Sequence, residues 1–106
     1  MTTQNWYAWI NLMPPPPDDF HVIGDVFVGN PGIEAQLSVK EPQGSNPTTL
    51  LLDLHLIQKP GMWPAVMTWV QARYDKILSP NSPEYKQVEV FHNSTSIAKI
   101  KVDEVH

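Results

Sequence analysis

Apolar and polar residues alternate along most of the chain, which is the pattern of β-strands with one buried face. The clearest case is IEAQLSVK, residues 33–40, in which every second residue is apolar. Stretches containing proline or glycine separate the alternating segments. This arrangement predicts an all-β fold, a single-domain antiparallel β-sandwich of about seven strands over residues 1–106. The predicted strands are residues 5–13, 20–29, 33–40, 50–57, 64–76, 85–92 and 96–102.

Residues 64–78 form the one segment whose type the pattern leaves open. As a helix, this segment would place Met67, Val70 and Tyr74 on one stripe, with Pro64 in the first turn. As a strand, it uses the β-branched and aromatic residues that precede Gln71, and these residue types favour strands. We therefore expect a strand, with a helix over residues 64–78 as the alternative.

Two similar turns, NPG at residues 30–32 and KPG at residues 59–61, predict how the strands pair. Proline fixes φ near about −65° and glycine tolerates positive φ, which together are the signature of a type II turn. If each turn closes a hairpin, residues 20–29 pair with 33–40, and residues 50–57 pair with 64–76. A bulge or a longer loop stays open at each turn, because tight hairpins prefer other turn types.

The segment LLLDLHLI, residues 50–57, has two different faces. Its even-numbered leucines form an ordinary core face, whereas the opposite face mixes apolar and polar side chains. In the predicted hairpin that second face continues onto residues 66–70 and forms an apolar patch, a feature that often marks an interface. Cover by another segment of the chain, self-association and ligand binding are three interpretations of the patch. The interface candidates are Leu51, Asp53, His55, Ile57, Val66, Thr68 and Val70.

Composition narrows the class of protein. The chain has 106 residues, a formal net charge of −4 and no cysteine, which indicates one domain without disulfides or thiolate metal sites. The few basic residues are scattered, which argues against a nucleic-acid footprint. No apolar run reaches the length of a membrane span, and MTTQNWYAWI lacks the pattern of a signal peptide. We therefore expect a soluble, cytoplasmic protein that binds neither nucleic acid nor membranes.

The residues that could carry chemistry lack the spacing that catalysis or metal binding needs. Asp53 and His55 share a strand face, so the carboxylate could orient the imidazole, but no nucleophile is tied to them. His21 and Asp25 also share a face, without the local spacing of metal-ligand motifs. We expect no enzyme activity, no catalytic residue, no metal ligand and no cofactor.

The four tryptophans divide into two groups by the alternation. Trp6 and Trp69 fall on apolar faces and are predicted to be core residues. Trp9 falls beside Tyr7 on the other face, and these two residues together with Trp63 are the candidates for stacking against a ligand. Other residues predicted to be buried are Leu37, Leu54, Val90 and Ile100.

Two functions are consistent with this sequence. The leading hypothesis is a small non-enzymatic module for protein interaction or self-assembly, which presents the apolar patch to a second copy or to another protein. The alternative is a β-domain that binds a carbohydrate or another small ligand through exposed tryptophan and tyrosine side chains.

Overall fold

The computed structural model describes residues 1–80 and 82–106. Within this part of the chain every regular element is a β-strand, so the prediction of an all-β fold with seven strands is confirmed. No helix among the described residues is long and apolar enough to cross a membrane. The strands are β1 (Thr3–Asn11), β2 (Asp19–Val28), β3 (Ile33–Val39), β4 (Thr49–Gln58), β5 (Thr68–Ile77), β6 (Gln87–His92) and β7 (Thr95–Val105).

The strands form one continuous sheet instead of the two separate layers of a sandwich. The hydrogen-bonded order is β3-β4-β6-β7-β1-β2-β5, and the two outer strands β3 and β5 approach each other, which gives the sheet a nearly barrel-like shape. The long strand β7 is the physical reason for the continuity. Its first part pairs with β6, as in Val88 opposite Ile100, and its last part pairs with β1, as in Ala8 opposite Val102.

Two of the six strand pairings are parallel, so the prediction of a purely antiparallel sheet is wrong. β1 runs parallel to β7, and β4 runs parallel to β6. The pairings β1·β2, β2·β5, β3·β4 and β6·β7 are antiparallel. Both parallel pairs join strands that are distant in sequence, because a parallel neighbour needs a long crossover connection.

Both hairpins predicted from the NPG and KPG turns are wrong. β2 pairs with β1 and β5, whereas β3 pairs with β4, so the chain crosses from one part of the sheet to another at residues 29–32. It crosses again at residues 59–67, between β4 and β5. The two crossing connections touch, since the amide of Lys59 donates a hydrogen bond to the carbonyl oxygen of Gly32 over 2.8 Å.

The segment predicted over residues 64–78 is a strand, so the helical alternative is wrong. The strand begins at Thr68 and pairs with β2 instead of β4. Val70 and Tyr74 pack against the core, whereas Trp69 lies on the outer surface with its ring 4.9 Å from that of Phe27. The predicted burial of Trp69 is therefore wrong, and the inward face of β5 is the opposite of the predicted one.

The core lies inside the curved sheet and follows the predicted alternation in the other strands. Leu37, Leu54 and Val90 are buried as predicted, and Ile100 is partly buried against them. Trp6 is partly buried and covers the backbone of β2. The largest fully buried side chains are Phe20, Leu52, Val22, Val26, Val88 and Val90.

Candidate functional site

The outer face of β4 is partly covered by the chain's own loop. The side-chain amide of Gln43 accepts a hydrogen bond from the Leu51 amide over 2.9 Å and donates one to the Leu51 carbonyl oxygen over 2.8 Å. A Cβ atom at Gly44 would lie 3.4 Å from Cδ1 of Leu51. The loop after β3 therefore shields Leu51. At this residue, the second face of the LLLDLHLI segment is covered by another segment of the same chain.

Asp53 and His55 bind neighbours on the β3 side instead of each other. The ammonium group of Lys40 lies 3.6 Å from the Asp53 carboxylate, and the Ser38 hydroxyl lies 2.7 Å from Nε2 of His55. Both contacts cross from β4 to the β3 side, and the side chains that make them are at least partly exposed to water. The Ser38 hydroxyl and the His55 imidazole thus form a hydrogen-bonded pair beside a shallow cavity of about 220 Å³, while the Asp53 carboxylate is paired with Lys40.

The other interface candidates do not join this face, because β4 and β5 are not neighbours in the sheet. Val70 faces the core and Thr68 lies opposite Val28 at the start of β5. Ile57 and Val66 are exposed, the first at the end of β4 and the second in the connection that follows. The structure therefore disperses the predicted patch, and only these last two residues remain on a shared apolar surface.

That surface lies at one end of the curved sheet, and we call it the apolar end. β2 and β4 finish there and β3 and β5 begin there, so the connections 29–32 and 59–67 meet at this point. Half of the large apolar residues that are exposed in the described chain lie within residues 57–69. The apolar end consists of Ile57, Met62, Trp63, Val66, Met67 and Trp69.

Contacts of Trp63 with the backbone hold the connection at the apolar end in place. The ring of Trp63 packs so closely over Gly32 that a Cβ atom there would overlap the indole. The indole N–H donates a hydrogen bond to the Lys59 carbonyl oxygen over 3.0 Å, and the Lys59 ammonium lies 5.5 Å from the centre of the ring. Trp63 thus anchors the connection, while the fully exposed Met62 beside it projects into water.

A second surface lies on the outer face of β1, β2 and β5. Tyr7 and Trp9 stack with ring centres 5.2 Å apart and planes 19° apart, and the Trp9 ring also lies 4.9 Å from that of His21. These positions bear out that Tyr7 and Trp9 face outward. We call this surface the Trp9 site; it consists of Tyr7, Trp9, Asp19, His21, Arg73 and Asp75. Trp63 belongs to the apolar end and not to this stack.

A chain of polar contacts holds the imidazole of the Trp9 site in place. Nε of Arg73 donates to both carboxylate oxygens of Asp75, over 3.1 and 2.9 Å, and Asp75 lies 2.6 Å from Nδ1 of His21. Partial burial raises the pKa of Asp75, but the hydrogen bonds from His21 and Arg73 and their charges outweigh it and hold the pKa below its ordinary value. The carboxylate is thus an acceptor at neutral pH, and Nδ1 of His21 is the donor.

The opposite side of the aromatic stack borders β7. Trp9 lies opposite Asp103 in the parallel pairing of β1 with β7. Partial loss of water around the Tyr7 hydroxyl and the nearby Asp103 carboxylate raise the pKa of Tyr7. The hydroxyl of Tyr7 therefore stays protonated across the neutral range and remains able to donate a hydrogen bond.

The alternation of the sequence places Tyr7 and Trp9 on an outer face but does not bring Asp75 and Arg73 to them, because the predicted hairpin pairs β5 with β4 instead of β2. A signal was present in the continuation of β5. Trp69 shares its face with Gln71, Arg73 and Asp75, whereas the residues between them are mostly apolar. Following this alternation past residue 70 would have assigned the polar face outward.

No group of three or more histidine, cysteine, aspartate or glutamate side chains within residues 1–80 and 82–106 is arranged to hold a metal ion. A scan against protein-family models finds no match for the chain, and searches of curated proteins and of solved structures find none either.

Proposed function

We propose that this protein is a non-enzymatic protein-interaction module whose contact surface is the apolar end. The observation that carries the proposal is the concentration of exposed apolar side chains within residues 57–69. Single exposed apolar residues are common on soluble domains, but contiguous groups of them mark interaction surfaces. Methionine and tryptophan are also enriched in the centres of protein interfaces, where charged residues are depleted.

A second copy of the same chain is the partner that this surface favours. Lys59 is the only charged residue within residues 57–69, although the whole chain carries a formal net charge of −4. Two apolar ends can therefore meet about a two-fold axis with only the two Lys59 ammonium groups to keep apart. The flexible side chains of Met62 and Met67 suit such a contact, because methionine adapts its shape to an opposing surface.

The proposal is tested by measuring the mass of the purified protein by light scattering across a micromolar concentration series. We expect the wild-type mass to rise toward that of a dimer as the concentration increases. Met67→Asp places a charge in the apolar end and should give a monomer of unchanged circular dichroism, because Met67 is 59% exposed and contributes little to the core. Ile77→Asp is the matched control, since Ile77 is 70% exposed at the other end of β5.

Two results would remove self-association through the apolar end. One is a wild-type protein that stays monomeric throughout the concentration series. The other is a dimer whose mass is the same in wild type and in Met67→Asp, which would assign the contact to another surface. Val70→Asp is unsuitable for this test, because Val70 packs against the core and the variant would unfold for a different reason.

A further inference from the structure

The Trp9 site borders a shallow cavity that the apolar end does not use. The cavity has a volume of about 360 Å³ and is lined by Asp19, His21, Asp75, Lys76 and Ile77. This volume lies within the range typical of small-ligand sites. The Trp9 ring stands beside the cavity, since it lies against the His21 ring. An aromatic surface thus meets a polar depression on the same face of the sheet.

Two neighbouring polar groups in this cavity, Nε2 of His21 and the Asp19 carboxylate, can each accept a further hydrogen bond. Nε2 of His21 and the Asp19 carboxylate are 3.6 Å apart, which is too far for a good hydrogen bond between them. Because Nδ1 of His21 is held by Asp75, neutral His21 presents a lone pair at Nε2. A hydroxyl group between the two can donate to either of them, and a pair of adjacent hydroxyls can satisfy both.

The mixed charges around the cavity do not favour an ionic ligand of either sign. The carboxylates of Asp19 and Asp75 oppose a phosphate or a carboxylate, whereas Lys76 and the Arg73 guanidinium oppose a cation. The ligand that fits is neutral, carries several hydroxyl groups and has an apolar face for the tryptophan. A pyranose ring has this combination, since its hydroxyls lie at the rim and its C–H groups form a face.

We propose that the Trp9 site binds a sugar unit of a neutral saccharide, which stacks against the aromatic pair of Tyr7 and Trp9 and hydrogen-bonds through its hydroxyls to His21 and Asp19. Asp75 and Arg73 are positioning residues in this site. Arg73 holds the Asp75 carboxylate, and Asp75 fixes the tautomer and the ring orientation of His21, in the way that second partners orient histidines in other binding sites. This proposal is independent of the apolar end.

The probes are cellohexaose, maltohexaose and chitohexaose, each titrated into the 106-residue protein by isothermal titration calorimetry. We expect at least one of them to bind, with the largest backbone amide shifts in nuclear magnetic resonance spectra at β1 and β2. Trp9→Ala should weaken that binding by about tenfold or more. Asp19→Ala should also weaken it, and provides a second variant should the removal of Trp9 disturb the fold. Trp63→Ala is the matched tryptophan control and should bind as wild type does.

The positioning role of Asp75 has its own readout. In the wild type, the imidazole nitrogen shifts of His21 should show the tautomer protonated at Nδ1. Asp75→Ala should remove this preference and weaken binding of the same hexasaccharide, with unchanged circular dichroism. Failure of all three hexasaccharides to bind would overturn the proposal. Loss of binding in Trp63→Ala, with retention in Trp9→Ala, would overturn it as well, because it would place the sugar at the apolar end.

Discussion

Glycine at two positions lets a tryptophan ring lie directly on the backbone. Trp6 covers Gly24 in the middle of β2, and Trp63 covers Gly32 in the β2–β3 connection. Neither of these glycines has the positive φ that would require glycine for its conformation. Their small size is therefore the property that matters, since any side chain would occupy the space of the indole.

Gly24→Ala tests this contact at the scale of one methyl group. The added Cβ would overlap the Trp6 ring, so either the indole or β2 must move. We expect a loss of about 1–3 kcal/mol in the free energy of unfolding, as for other overpacked sites. Urea denaturation followed by circular dichroism provides the measurement.

Gly29→Ala is the control for the general effect of replacing a glycine. Apart from the two adjoining residues, no atom lies within 4 Å of a Cβ built at Gly29. The unfolding free energy should therefore change by no more than about 0.5 kcal/mol, or rise slightly through the unfolded state. Equal losses in Gly24→Ala and Gly29→Ala would show that the Trp6 contact does not decide the stability of β2.

At the scale of the strands, the alternation of apolar and polar residues predicted where strands occur and which side of each is buried. It predicted far less well which strands pair with each other. β3 and β4 carry their buried residues where the period of two placed them, because burial of one face is a local property of the sequence. The pairing of a strand depends instead on which distant strands occupy its two edges. The NPG turn is compatible with a hairpin, but β2 already has β1 and β5 on its two edges, so β3 must pair elsewhere.

The Trp9 site shows even more clearly that the sequence pattern does not predict contacts that depend on strand pairing. Tyr7 and Trp9 lie on one strand, and a local pattern was enough to place them on the outer face. His21, Asp75 and Arg73 come together only because β2 pairs with β5, with His21 directly opposite Asp75. That pairing joins segments about fifty residues apart, and no turn between them encodes it.

The contact between β2 and β5 predicts a specific loss of stability in acid. Because the folded-state pKa of Asp75 is lower than its ordinary value of 3.8, its ionised form stabilises the fold. This contribution is fully present above the unfolded-state pKa and disappears as the pH falls through the folded-state pKa. Asp75 is nearly half exposed, so the effect should stay below about 1 kcal/mol.

Urea denaturation of wild type and Asp75→Asn across a pH series measures this contribution. The difference in unfolding free energy between the two proteins should shrink as the pH falls below 3.8. Arg73→Gln should reduce the acid-dependent part, because it removes one of the two partners of the carboxylate. A wild-type-minus-variant difference that grows in acid would contradict the assigned contacts.

At the scale of the whole molecule, the position of β7 links the two ends of the sequence. β7 pairs with β6 through its first part and with β1 through its last part. The sheet therefore cannot be continuous until nearly the whole chain is present. Such non-local pairing makes folding slow for a domain of this size, because distant segments must meet before their contacts stabilise the fold.

We expect this arrangement to make unfolding a single cooperative transition. Among the described strands, β7 is the one that joins β6 to β1, so its loss removes the hydrogen-bonded link between β3-β4-β6 and β1-β2-β5. Tryptophan fluorescence and far-ultraviolet circular dichroism should give the same urea midpoint, because Trp6 lies in one half and the circular dichroism reports on both.

A chain that lacks residues 95–106 should be unfolded, whereas a control that lacks only His106, which follows β7, should keep the wild-type midpoint. Two separate transitions in the 106-residue protein, or a cooperative transition in the chain without β7, would show that the two halves of the sheet are stable independently.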